Sequence, residues 1–222
     1  MTRFVPLALL AGCATLTTAR PLEPGAHAVG VVFGGGVVNL GAPIPLPNLI
    51  VEGRHGVAAP GGHEIDVGWG ANATSLAFGI LSLHGGGAVL LADQAGARPA
   101  LSLGNRLWFA TNLPGLGSRV SPTPEVWAAD QVELTASWLA GQHLPYVSVS
   151  QYFDFGNPAL TLTPAVGAVW DFREPGGLAL QTELRWFGVG VPDDGSEVSW
   201  IPGNTGIIGL DVGLSGRFGR RK

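Results

Sequence analysis

Gly206-Ile207-Ile208-Gly209-Leu210-Asp211-Val212-Gly213-Leu214-Ser215-Gly216-Arg217-Phe218, near the carboxyl end of the chain, alternates with a period of two. Ile208, Leu210, Val212, Leu214 and Phe218 share one parity, while Asp211, Ser215 and Arg217 take the other. The segment Leu178 to Phe187 has the same form, with Leu178, Leu180, Leu184 and Trp186 set against Gln181, Glu183 and Arg185. This alternation belongs to a strand with one apolar and one polar face. A soluble sheet satisfies it with the apolar face on a core. A membrane barrel satisfies it with the apolar face in lipid and the polar face in the lumen.

Moving outward, eight more segments carry strand-like patterns: Ala28–Val37, Leu49–Val57, Glu64–Asn72, Ala88–Asp93, Leu101–Phe109, Val126–Trp138, Val147–Phe155 and Leu160–Phe172. The stretch Thr74–Gln94 is read as a long excursion broken at Gly85-Gly86-Gly87 before the fourth strand. Thr123-Pro124-Glu125 offers a helix start, with an N-cap and a proline at the first helical position. The clean alternation after Val132 favours a strand there instead. Connections alternate between compact ones such as Ala58–Gly62 and longer ones such as Val38–Asn48, as expected of tight periplasmic turns and longer outer loops. The expected fold is an all-β, closed, antiparallel up-and-down transmembrane barrel of about ten strands, with eight to twelve compatible. An even number places both chain ends on one side.

Composition supports this. Charged residues are only 13%, and 35 glycines in apolar surroundings disfavour long helices. Seven Trp suit membrane boundaries. No run of eighteen apolar residues exists to make a spanning helix. The net charge of -4 gives no basic face for nucleic acid.

The chain opens with Arg3, an apolar run from Phe4 to Leu10, and Ala11-Gly12 before Cys13, its single cysteine. This resembles a bacterial lipoprotein signal peptide with the lipobox Leu10-Ala11-Gly12-Cys13. The resemblance implies cleavage before Cys13, lipidation of its thiol by the lipoprotein-processing machinery, and, with Ala14 following, sorting to the outer membrane. Residues 1–12 are then the signal peptide, 13–25 a lipidated tether, 26–218 the barrel and 219–222 a basic tail. The whole mature chain resembles the small outer-membrane β-barrel proteins as a pattern. That resemblance implies outer-membrane lipid and the barrel-insertion machinery as partners, the latter reading the terminal Phe218.

The polar parity collects Glu52, Arg54, Glu64, Asp66, Arg106, Glu133, Asp171, Glu183, Arg185, Asp211 and Arg217. Facing a narrow lumen, these groups form a buried ion-pair network, because a small barrel is filled by its own side chains. The functional alternative is a polar channel or ligand site. No catalytic constellation, metal site or cofactor site is singled out. His27, His55, His63, His84 and His143 all fall near expected strand ends or turns, and His63 has the opposite parity from Glu64 and Asp66. Gly34-Gly35-Gly36 and Gly85-Gly86-Gly87 lack the Lys-Ser/Thr of a phosphate loop. Ser82 and His84 share a face and would suit a lipid hydrolase or deacylase at the outer rim. The reading is therefore a lipid-anchored outer-membrane barrel with a structural or small-solute role. A rim lipid hydrolase and a soluble periplasmic β-sandwich are its rivals.

Overall fold

The computed structural model describes residues 16–39, 43–45, 48–59, 63–113, 125–155, 160–171, 177–192 and 205–219. The strands are β1 (His27–Asn39), β2 (Pro43–Pro45), β3 (Asn48–Ala58), β4 (Glu64–Asn72), β5 (Ile80–Ala92), β6 (Ala100–Asn112), β7 (Val126–Ser137), β8 (His143–Asp154), β9 (Leu160–Asp171), β10 (Leu178–Pro192) and β11 (Thr205–Phe218). The short helix α1 (Ala73–Ala77) lies between β4 and β5. Strands β3 to β11 follow one another around a single sheet, and β1 pairs with both β3 and β11. The ring is thus closed with ten antiparallel strands, and β2 only extends β1 at one end. The seam runs in register from His27↔Phe218 to Gly36↔Gly209. Strand β7 begins at Val126, so the strand reading prevails over the helix.

The parity is inside out relative to a soluble protein. Phe33 is 54% exposed and Leu107 53%, and the exposed set continues around the outside through Val132, Leu134, Val166, Leu184 and Leu210. The opposite parity holds Asp66, Gln131, Glu133, Ser150, Glu183, Arg185 and Asp211, all buried. Lipid selects this arrangement, since it leaves no free backbone edge and presents apolar side chains to hydrocarbon. The soluble sandwich is excluded, because there is one closed sheet and its apolar parity faces out. Aromatic side chains at the end where β1 begins and β11 finishes include Phe218, which stacks on His27 at 5.7 Å, with His55 stacked on the other side at 4.3 Å.

One expectation is corrected. Gly85-Gly86-Gly87 does not break the chain but lies inside β5, paired to Trp69, Gly68 and Val67 of β4. A Cβ on Gly86 would stand 2.0 Å from the Asn105 carbonyl oxygen, and one on Gly87 would stand 2.4 Å from that of Asp66. These glycines serve close strand approach, which weakens the alternation that reveals a strand. The connection between β4 and β5 shrinks accordingly to α1 and a turn. Asn72 caps α1, its side chain accepting from the Ser75 amide at 3.0 Å. The signal peptide, Cys13 and residues 220–222 lie outside the described residues.

The outward parity sets a depth-dependent test. Val132→Arg, near the middle of β7, should destabilise the folded barrel by about 2–4 kcal/mol in lipid vesicles, and Leu178→Arg, at a strand end, by about 0–1. Equilibrium unfolding in urea measures both, and equal costs at the two sites would contradict a spanning orientation.

Candidate functional site: a lumen filled by the N-terminal segment

The inward side chains do not close the lumen by themselves. Residues 16–22, read from sequence as part of a tether, run up the inside of the barrel. We call them the strap. Hydrogen bonds tie the strap to inward residues of β3, β4, β6, β7, β8 and β10. The Thr17 amide donates to Glu183 Oε2 at 3.0 Å, the Thr18 amide to Glu133 Oε1 at 3.2 Å, and the Leu22 amide to Asp66 Oδ2 at 3.1 Å. Strap carbonyls are met by opposite chemistry. Arg106 donates to the Leu16 oxygen at 3.0 Å, Gln181 to that of Thr17 at 2.9 Å, and Arg54 to that of Arg20 at 3.1 Å.

Strap side chains are also fitted. Thr17 Oγ1 donates to Glu133 at 3.2 Å and lies 3.0 Å from Ser148 Oγ, and Thr18 Oγ1 accepts from Arg106 at 3.1 Å. Leu16 is buried with Val32 and Ile50. A Cβ on Gly213 would come within 2.1 Å of Leu16 Cδ1, so the wall is cut away at that point. Gly56 plays the same part at the mouth, where a Cβ would sit 2.0 Å from the Glu23 oxygen. Arg20 reaches Glu64 at 3.3 Å and Asp93 at 3.0 Å. Glu23, Pro24 and Gly25 are exposed at the end where β1 begins and β11 finishes.

The wall supplies further donors for its buried acids. Tyr146 donates to Glu183 at 2.7 Å, with Gly167 opposite leaving room for the phenol. Arg185, 1% exposed, forms an ion pair with Glu183 and lies over the Phe187 ring at 5.6 Å. Ser150 donates to Glu133 at 2.9 Å. Each such bond to a buried charge contributes about 1.5–3 kcal/mol, and losing it leaves a desolvated acid behind. Asp211 is the exception: it is fully buried, and neither carboxylate oxygen has a hydrogen-bond partner among the described residues. A Cβ on Gly34 would stand 2.4 Å from its Oδ1.

The sequence-derived polar set therefore divides. Glu52, Arg54, Asp66, Arg106 and Glu133 line one cavity of about 30 Å³, and Arg54 and Asp66 form an ion pair. Glu183, Arg185 and Asp211 lie together across the lumen on β10 and β11, with Glu183 and Asp211 in register. Glu64 belongs to the strap's entrance. Asp171 and Arg217 form a separate pair at 3.8 Å near the same end. A cavity of this size holds only one or two waters. Sequence reasoning put Gln131, Tyr146, Ser148 and Gln181 on the polar parity but left them out of the network because they are uncharged, and it missed Thr17 and Thr18. The one visible signal was the hydroxyl pair Thr17-Thr18 set between apolar residues ahead of Arg20.

The proposed rim pair is relocated. Ser82 and His84 both point into the lumen, Ser82 buried and His84 packed on Gly70 and tilted against Trp108 at 4.5 Å. His84 is well inside β5, not at a strand end. Among the described residues no group of three or more His, Cys, Asp or Glu could hold a metal ion.

No family model matches the chain, and no curated protein matches it. Among solved structures, it is similar to an outer-membrane channel from Pseudomonas putida F1, with 12% identity, TM-score 0.47, and coverage of 92% of this chain and 100% of that one. The translocator domain of the autotransporter NalP from Neisseria meningitidis aligns with 12% identity and TM-score 0.42, over 97% and 94% of the two chains. A de novo designed transmembrane β-barrel aligns with 16% identity and TM-score 0.36, over 89% and 99%.

The Thr17–Ser148 approach is directly testable. In a Cys13→Ser background, Thr17→Cys with Ser148→Cys should form a disulfide under mild oxidation, seen as a reducible mobility shift. Adding Gly213→Leu, which fills the Leu16 niche, should cut the yield of that cross-link several-fold while β10, β11 and β1 stay paired.

Proposed function

We propose that this protein is a bacterial outer-membrane barrel, with the end where β1 begins and β11 finishes on the periplasmic side and its lumen closed by its own strap. One observation carries the reading: Thr17 sits between Glu133 and Glu183 in the middle of the lumen, bonded to both through its hydroxyl and its amide. The role is structural in this plugged form, and small solutes pass only when the strap withdraws. Outer-membrane lipid solvates the apolar belt, and the insertion machinery reads the closing strand that ends at Phe218.

Lipidation at Cys13 belongs to the same proposal as an alternative position of the segment. Three residues span at most about 10 Å, so a Cys13 anchored in the inner leaflet cannot coexist with Leu16 at mid-lumen. The anchored form holds residues 16–20 outside the mouth, and the plugged form is the one without the anchor. The rim hydrolase gains no support, since Ser82 and His84 face inward.

Planar bilayers test the plug. In a Cys13→Ser background, the chain with native Thr17 and Thr18 should pass almost no current, and adding Thr17→Pro with Thr18→Pro, which removes both strap amide donors, should show discrete openings. With the strap out, the middle of the lumen keeps, among the described residues, five acids (Glu52, Asp66, Glu133, Glu183, Asp211) against three guanidiniums (Arg54, Arg106, Arg185). The openings should therefore prefer cations, read as a reversal-potential shift in a salt gradient. Steady conductance through the chain with native Thr17 and Thr18 would overturn the closed reading.

A further inference from the structure

We propose that the lumen is a binding site for a polypeptide segment, that the strap is its resident occupant, and that it takes a second such segment in trans from the periplasmic mouth. This rests on the plugged-barrel reading above. The lumen recognises backbone. Three carboxylates take strap amides and three donor side chains take strap carbonyls. Two of these acids also pair with arginines, Asp66 with Arg54 and Glu183 with Arg185, and still take a strap amide each, while the hydrogen bonds to Glu133 among the described residues come from amide and hydroxyl donors of the strap and from Gln131 and Ser150. Side-chain selection is added at defined places. The niche over Gly213 takes an apolar residue, Ser148 and Arg106 take two successive hydroxyls, and Glu64 with Asp93 takes a cation. The preferred ligand is thus a peptide reading apolar, hydroxyl, hydroxyl, small, basic, bent at the last two positions as the strap is.

Exchange needs no strand to unpair. Among the described residues the strap adds nothing to the barrel ladders, which run β1 to β11 without it. Its link to the wall at Glu23–Gly25 is exposed at the mouth. A tethered strap competes at millimolar effective concentration, so an outside peptide binds well only once the strap is released. The strap of a second copy is not that ligand. The eight steps of chain from Gly25 to Thr17 span at most about 28 Å. Barrels about 20 Å across at the backbone stand about 30 Å apart, before any climb into the neighbouring lumen. The ligand is a segment with a free end, from a different polypeptide.

The test uses the whole folded chain with a site-specific protease sequence placed at Glu23–Gly25 and cut after folding, so the wall folds with its native residues. The probe is a labelled synthetic peptide with the sequence of residues 15–23. Cut barrel should bind it saturably, about tenfold or more tighter than uncut chain, and a version with proline at both threonine positions should not compete. Equal binding to cut and uncut chain overturns the proposal. So does loss of the cut segment without entry of the probe, or a retained segment that never exchanges with excess probe. If the Thr17→Cys/Ser148→Cys disulfide forms and the probe does not bind, the trans site alone falls. If the disulfide does not form, the plugged barrel and the trans site fall together.

Discussion

A backbone amide that faces lipid finds no water, so it must be bonded within the protein. The pairing of β1 with β11 meets that demand by removing the last two free edges of the sheet. Everything else in the molecule follows from closure. Alternating side chains are forced to opposite sides of one wall, apolar outward and polar inward. Ten strands make a narrow tube, so the inward groups are desolvated and must be satisfied at close range. Even the seam shows this closeness. Gly30 and Gly34 of β1 face Ser215 and Asp211 with no room for a Cβ at ordinary contact distance.

The lumen answers desolvation in two ways. Near the far side, Glu183 and Arg185 neutralise each other, and Tyr152 and Phe187 surround them with aromatic surface. At mid-height the wall carries acids and donors that meet the strap, Glu183 and Arg185 among them. A polypeptide backbone carries donors and acceptors in equal number without net charge, so it can satisfy a carboxylate on one side and a guanidinium on the other. Glu133 and Arg106 are bridged in this way through Thr18, whose amide serves the acid and whose hydroxyl serves the cation. The strap is as much a part of the interior as any strand.

Much of the fold was legible in the sequence, because closure acts on parity and parity is written in the order of residues. Leu210-Asp211-Val212 and Leu184-Arg185-Trp186 each show which side is which. The strand through Gly85-Gly86-Gly87 was illegible, since glycine carries no side chain to alternate. The inward charges were legible as a set, but not how they divide, because grouping depends on register between distant strands. The strap was hidden for a different reason. Its contacts run through backbone atoms, which every residue possesses, so Leu16-Thr17-Thr18-Ala19 looks like any short linker. Its fitted counterparts, Gly56 and Gly213, look like any strand glycines.

The strap also inverts the order in which the molecule can be completed. Thr17 and Glu183 meet across 166 positions of chain, and Arg185 reaches Thr17 across 168. Contacts at such separations carry a large loop-closure entropy and form slowly. The strap's partners on β7, β8 and β10 do not share one space until those strands stand in the wall. The stretch made early by the ribosome is therefore among the last to find its place. Until then the half-built interior holds Glu133 and Glu183 open to water, and the final docking of a short N-terminal thread is what dries it.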